Sequence, residues 1–187
     1  MINEMTFEDV RKLLDLSPNA TCGYVHITFV SKHKIAAGGM QAPFADGRPA
    51  GSALYFMLTP EEPVKLHRIR NDQLYHYYLG DPIEVLMLLE SGFAERHIVG
   101  PDLRKGHRVQ LYIPGNIFHT ARVIGGRRWF LGAPRQNGPA SSLRMSSLAT
   151  RMRWRPDIQA SLTRFGAFRC QRSNKAGPSP SASPSSH

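Results

Sequence analysis

Between Gly23 and Leu131 the chain is a succession of short runs rich in Val, Ile, Leu, Tyr and Phe, cut at intervals by Gly, Pro, Asn and Asp. Runs of this length and composition predict β-strands. They fall at Tyr24 to Val30, Ser52 to Leu58, Lys65 to Ile69, Leu74 to Leu79, Ile83 to Leu89, Glu95 to Val99, Val109 to Ile113, Thr120 to Ile124 and Trp129 to Leu131. Turn chemistry separates them: Asn71-Asp72, Gly80-Asp81-Pro82, Ser91-Gly92, Gly100-Pro101-Asp102 and Gly125-Gly126 are residues that tolerate a tight or left-handed backbone. Many short strands at this spacing predict an all-β sandwich or barrel. Residues 33 to 51, rich in Gly and Pro, are too long and loose for a hairpin and are expected to form a lid or rim loop.

Two segments depart from the alternating pattern. Near the N-terminus Phe7, Val10, Leu13 and Leu14 recur at helical spacing, and Thr6 with Asp9 has the layout of a capping box, so a short amphipathic helix ending near Ser17-Pro18 is predicted. After Leu131 the alternation fades. Residues 133–187 are rich in Arg and Ser and finish in GPSPSASPSSH, a composition that buries too little apolar surface to fold. That tail is expected to be largely disordered, with one marginal helix where Met152, Ile158, Leu162 and Phe165 recur between Arg151 and Phe168.

Charge sharpens this division. The 187-residue chain carries 24 Lys and Arg against 14 Asp and Glu, a formal charge of +10. Residues 1–132 hold 15 of the basic and 13 of the acidic side chains, whereas residues 133–187 hold 9 and 1. The basic character belongs to the tail, and the tail lacks the interleaved aromatics of a single-strand binder, so nucleic-acid binding is not expected. The chain has no apolar run long enough to span a bilayer, and MINEMTFEDV has no signal-peptide layout, so a cytoplasmic protein without membrane contact is expected. Cys22 and Cys170 are the only cysteines and lie far apart, which argues against a disulfide framework or a thiolate zinc site. Asn19-Ala20-Thr21 has the form of a glycosylation sequon, which carries no meaning without secretion.

The chemistry-bearing residues concentrate in LHRIRNDQLYHYYLG, Leu66 to Gly80, and in GHRVQLYIPGNIFH, Gly106 to His119. Together these resemble the two halves of the cupin motif. Gln73 stands where the first half usually has a glutamate, Gly80 closes that half, and His67 is the nearest histidine; Gly106, Pro114-Gly115 and His119 fill the second half. The longer stretches YFMLTPEEPVKLHRIRNDQLYHYYLGDPIEV and VGPDLRKGHRVQLYIPGNIFHTAR resemble a branch of small cupins catalogued as a domain of unknown function, over roughly residues 7 to 132. The resemblance implies a double-stranded β-helix, the jelly-roll barrel, for residues 1–132, with a short N-terminal helix and the basic tail outside it. It also implies a homodimer. Two positions depart from the branch: Gln73 replaces its usual acidic residue, and Asn19 to Tyr24 replaces a His-Pro-Glu-Gly-Gly-Tyr stretch. The basic run from Ala133 replaces an acidic continuation, a change that a shifted reading frame near residue 133 would produce.

In such a barrel alternate side chains of each strand enter the lumen. If Gln73 points inward, so do Tyr75 and Tyr77, while Leu74, His76 and Tyr78 face outward; Gln110 and Tyr112 share one face, as do Tyr55 and Met57. The expected lumen is an apolar wall with a few convergent polar groups, the form of a small-molecule site. Three readings follow from it. A divalent transition metal would use His67, Gln73 and His119 as ligands, without a carboxylate to offset its charge. Metal-free proton transfer, as in the sugar epimerases that share the fold, would use His67 or His119 as base and Tyr75 or Tyr77 as the facing acid. A binding or sensing module would need only fit. In each, Tyr55, Gln110 and Tyr112 would contact the ligand and Arg68 would hold an anionic group at the mouth.

Overall fold

The computed structural model describes residues 5–40, 47–126, 128–136, 142–144 and 156–164. Helix α1 (Phe7–Leu13) starts as the sequence predicts: Asp9 N–H donates to the Thr6 hydroxyl at 3.2 Å, and Thr6 N–H donates back to the Asp9 carboxylate at 2.9 Å. These bonds satisfy two of the N–H groups that a helix start leaves unpaired. Strands β1 (Ser17–Pro18), β2 (Tyr24–Val30), β3 (Lys34–Ile35), β4 (Arg48–Pro49), β5 (Ser52–Leu58), β6 (Val64–Ile69) and β7 (Gln73–Gly80) follow. Then come β8 (Ile83–Leu88), β9 (Ala94–Val99), β10 (Gln110–Ile113), β11 (Phe118–Val123), β12 (Phe130–Gln136) and β13 (Ser142–Arg144), and finally helix α2 (Pro156–Arg164).

These strands form two facing antiparallel sheets, in the orders β1-β2-β5-β12-β7-β10 and β13-β6-β11-β8-β9. This is the expected jelly-roll barrel. Its core is the inner face of both sheets: Phe56 and Leu58, Val64, Tyr75, Ile83, Val85 and Met87, Leu111 and Ile113, and Phe130 pack as one cluster. Each buried aliphatic or aromatic side chain contributes about 1.5–3 kcal/mol, so this layer dominates stability. Outside the first sheet, Val10 of α1 and Leu16 just beyond it lie on Met57, Trp129 and Leu131. The expected loop at residues 33 to 51 contains the small β3-β4 pair instead, Lys34 opposite Pro49; residues 41–46 are outside the described set.

The boundary expected at residue 132 is crossed by structure. Strand β12 continues through Ala133 to Gln136 because it is central, paired with β5 on one side and β7 on the other, so its backbone groups are satisfied. Helix α2 places Ile158 and Leu162, one turn apart, in a cluster with Leu66, Leu86, Leu88 and Phe118 on the outer face of the second sheet. An apolar face supplied by the barrel thus orders a helix whose own periodicity is weak. Disorder does not extend to these pieces or to β13; the other basic residues of the tail lie outside the described residues.

Candidate functional site

Gly80, with φ +87°, ends β7 in a left-handed turn, and a side chain there would strike the Trp129 backbone and ring. Only glycine closes the first motif this way. The second motif folds against the first. Gly115 N–H donates to the Asp72 carboxylate at 2.8 Å, and Asn116 N–H donates to the Ile69 carbonyl at 2.7 Å. This latch joins the β6-β7 turn to the start of β11 and sets the register in which His119 lies opposite His67. One extra residue on β6 opposes β11 between His67 and Val64, a bulge that lets both of these side chains enter the barrel.

The two imidazoles are therefore neighbours, with ring centroids 4.6 Å apart. His67 Nδ1–H donates to the Lys65 carbonyl at 2.7 Å and His119 Nδ1–H to the Ile117 carbonyl at 3.2 Å. Both bonds require the Nδ1 tautomer, which leaves each Nε2 as an acceptor. His119 Nε2 receives the Tyr75 hydroxyl at 3.4 Å. Gln73, two residues before Tyr75 on the same face of β7, is 3% exposed, and its Oε1 accepts a hydrogen bond from none of the described residues.

His67, Gln73 and Tyr75 line a cavity of about 180 Å³. Val25, Leu54, Phe56 and Ile69 form its apolar wall, and Asn19, Thr21 and Cys22 form its rim. Burial governs the electrostatics. It lowers the His67 pKa and, with the neighbouring His67 ring, pushes His119 down to about 3, so both imidazoles are neutral at pH 7. Burial also raises the Tyr75 hydroxyl well above the usual tyrosine value and pushes the Cys22 thiol up to about 11, so both keep their protons.

Of the residues expected at the site, the structure brings His67, Gln73, Tyr75 and His119 together; His119 stands behind Tyr75, outside the cavity wall. Tyr77 points inward, but its hydroxyl donates to the Gly80 carbonyl at 2.9 Å and its ring packs on Phe130, so it braces the turn and is not the facing acid. Four expectations are corrected. On β5 the inward residues are Leu54 and Phe56, and Tyr55 lies outside with its ring edge on Tyr78. On β10 Leu111 and Ile113 face the core, Tyr112 is 54% exposed, and Gln110 is exposed with its amide on His76 Nδ1 at 3.1 Å. Arg68 lies 5.1 Å over the Phe118 ring, on the outer face. The cause is register: Leu111 pairs with inward Tyr75, which turns Gln110 and Tyr112 outward. Cys22, Asn19 and Thr21 were not anticipated, although they occupy the stretch where the resemblance marked a departure.

A divalent transition metal does not fit this donor set. No three His, Cys, Asp or Glu side chains among the described residues come together as a metal site. Gln73 brings no negative charge, and the His119 Nε2 lone pair faces the Tyr75 hydroxyl rather than the cavity. Among the described residues no helix is long and apolar enough to cross a membrane.

The fold recurs in solved structures. A hypothetical protein from Leishmania major is 26% identical, with a TM-score of 0.64, over 71% of this chain and 81% of its own. A protein from Shewanella oneidensis is 18% identical, with a TM-score of 0.72, over 86% of this chain and 97% of its own. A cupin-2 domain from Rhodospirillum rubrum is 14% identical, with a TM-score of 0.50, over 81% of this chain and 83% of its own. No curated protein matches the chain. The family model described as Cupin superfamily (DUF985) matches residues 8–133, and with the barrel and its two-motif site in place the chain belongs to that family.

Proposed function

We propose that this cupin binds a small molecule inside its barrel, in the cavity between His67, Gln73 and Tyr75. The observation that carries the reading is the cavity itself: about 180 Å³, apolar on most of its wall, with buried polar groups converging at one side. An engineered apolar cavity of roughly 150 Å³ holds benzene, so the volume suits a molecule of one ring or its equivalent. Screening of one-ring fragments by amide chemical shifts should perturb Cys22, Leu54, Phe56 and Gln73. Shifts confined to the outer face around Tyr55, Tyr78 and Tyr112 would overturn it.

A second reading, proton abstraction, is favoured by the Nδ1 tautomer of His67, which turns the basic nitrogen away from its backbone partner. The electrostatics weigh against it. An acid or base works best with a pKa near the operating pH, and burial moves His67 down and Tyr75 up, away from neutrality on both sides. Binding without turnover is therefore the better-supported function. A bound fragment that exchanges a C–H proton with D2O in the wild type, but not in a folded His67→Gln variant that still binds it, would reverse that order.

A further inference from the structure

We infer that the cavity selects a neutral ligand that donates hydrogen bonds, an alcohol, phenol or N–H compound of about one ring, over a carboxylate or phosphate of the same size. The inference rests on the reading of the lumen as a small-molecule site.

The Tyr75 hydroxyl points to His119 Nε2 at 3.4 Å, away from the cavity. The Thr21 hydroxyl and the Cys22 thiol both point to the Asn19 side-chain carbonyl, at 3.0 and 3.5 Å. His67 Nδ1–H is held by Lys65. Each of these donors already faces an acceptor within the wall, whereas the acceptors His67 Nε2 and Gln73 Oε1 meet no donor among the described residues. The N–H groups of the Asn19 and Gln73 amides are the donors that remain. A buried acceptor without a donor is a standing cost that a ligand O–H or N–H relieves, whereas a second acceptor placed against it adds repulsion.

Charge points the same way. No Lys or Arg is among the described residues lining the cavity, and Arg68 lies outside it. Lys65 Nζ donates to the Ala20 carbonyl at 3.2 Å at the rim, and His67 is neutral, so no cation among the described lining residues offsets a negative charge taken out of water. Gln73 completes the pattern, because its amide is neutral and adds no charge that would suit a cation.

Phenol, toluene and benzoate, matched in size and differing in donor and charge, test this by NMR titration at pH 7 against the full chain, its Gln73→Met variant and its Leu54→Trp variant. Val25→Phe is a second way to fill the cavity if Leu54→Trp does not fold. Phenol should bind about fivefold tighter than toluene, the worth of one such hydrogen bond, and benzoate at least a hundredfold more weakly than phenol. Gln73→Met should reduce the phenol preference to about twofold or less. Equal binding of phenol and toluene, blocked by filling the cavity, would overturn the donor rule and leave the cavity reading standing. Benzoate as the tightest of the three would overturn the neutrality. If none of the three binds, or if binding is untouched in a folded cavity-filled variant, the small-molecule reading fails and this inference fails with it.

Discussion

Glu84 and Gln73 are both buried polar side chains, 7% and 3% exposed, and the fold treats them in opposite ways. Glu84 lies on the outer face of β8. Its Oε1 meets Arg96 Nε at 3.1 Å, and its Oε2 accepts from Arg122 Nε and Nη2 at 2.9 and 2.7 Å. Both oxygens are compensated. Gln73 lies on the inner face of β7, with Oε1 bare among the described residues. Leaving a buried acceptor unpaired costs about 1–3 kcal/mol, and a methionine of similar length would avoid that cost. The contrast separates polar groups that complete a structure from polar groups that await something else.

The largest test removes the completed group. Glu84→Leu should lower unfolding stability by about 3 kcal/mol, because it strips two arginines of their shared buried partner; urea denaturation measures it. Arg96 and Arg122 are 44% and 32% exposed, so they can regain some water, which keeps the expectation at the lower end for a broken buried pair. A loss below 0.5 kcal/mol would mean that the cluster is an ordinary surface ion pair, and the contrast with Gln73 would collapse.

Acid should act on the inner wall instead. His119 is buried neutral, with His67 and Tyr75 facing it and a pKa near 3 in place of the ordinary 6.5. Between those values the unfolded chain binds the proton that the folded one refuses, so stability is fully present above about pH 6.5 and falls as the pH drops toward 3. From pH 7 to pH 5 this one group should cost about 2 kcal/mol. His67, also lowered, adds a loss of the same sign. His119→Gln should flatten the dependence of the urea midpoint between pH 7 and 5. An unchanged slope in a folded variant would show that His119 takes up its proton in the native protein as readily as in the unfolded chain.

How much of this could be read from the chain differs between strands. On β7 the alternation was legible, because Gln73 sat at a motif position and fixed which parity enters the barrel. On β5 and β10 no such anchor existed. Tyr55 and Tyr112 look like lumen residues by type, yet Phe56, Leu111 and Ile113 hold the core face, since register is set by pairing across strands that sequence alone does not reveal. The rim was missed for another reason. Asn19, Thr21 and Cys22 lie some fifty residues before Gln73 and reach it only through the order β2-β5-β12-β7. Helix α2 was marginal on its own pattern because the face that orders it, Leu66, Leu86, Leu88 and Phe118, comes from three other strands.

Gln73→Met addresses the contrast from its other side. It should leave stability unchanged or raise it by about 1 kcal/mol, since it removes an unpaired buried oxygen and keeps the volume. A loss of more than 1 kcal/mol would show that the amide is completed within the fold after all.

Tyr75→Phe is the finest cut, because His119 stands between the two classes. Its Nδ1 is bonded to Ile117, but its Nε2 depends on a hydroxyl 3.4 Å away, longer than a well-formed hydrogen bond. A bond that long contributes little, so the phenylalanine should cost about 0.5 kcal/mol, with its ring still packed on Phe56. That outcome puts His119 Nε2 with Gln73 Oε1 as an acceptor only loosely held, though behind the cavity wall rather than in it. A cost of 2 kcal/mol or more would put the Tyr75–His119 pair with Glu84 instead, as part of the frame, and would leave Gln73 and His67 as the groups that face a ligand.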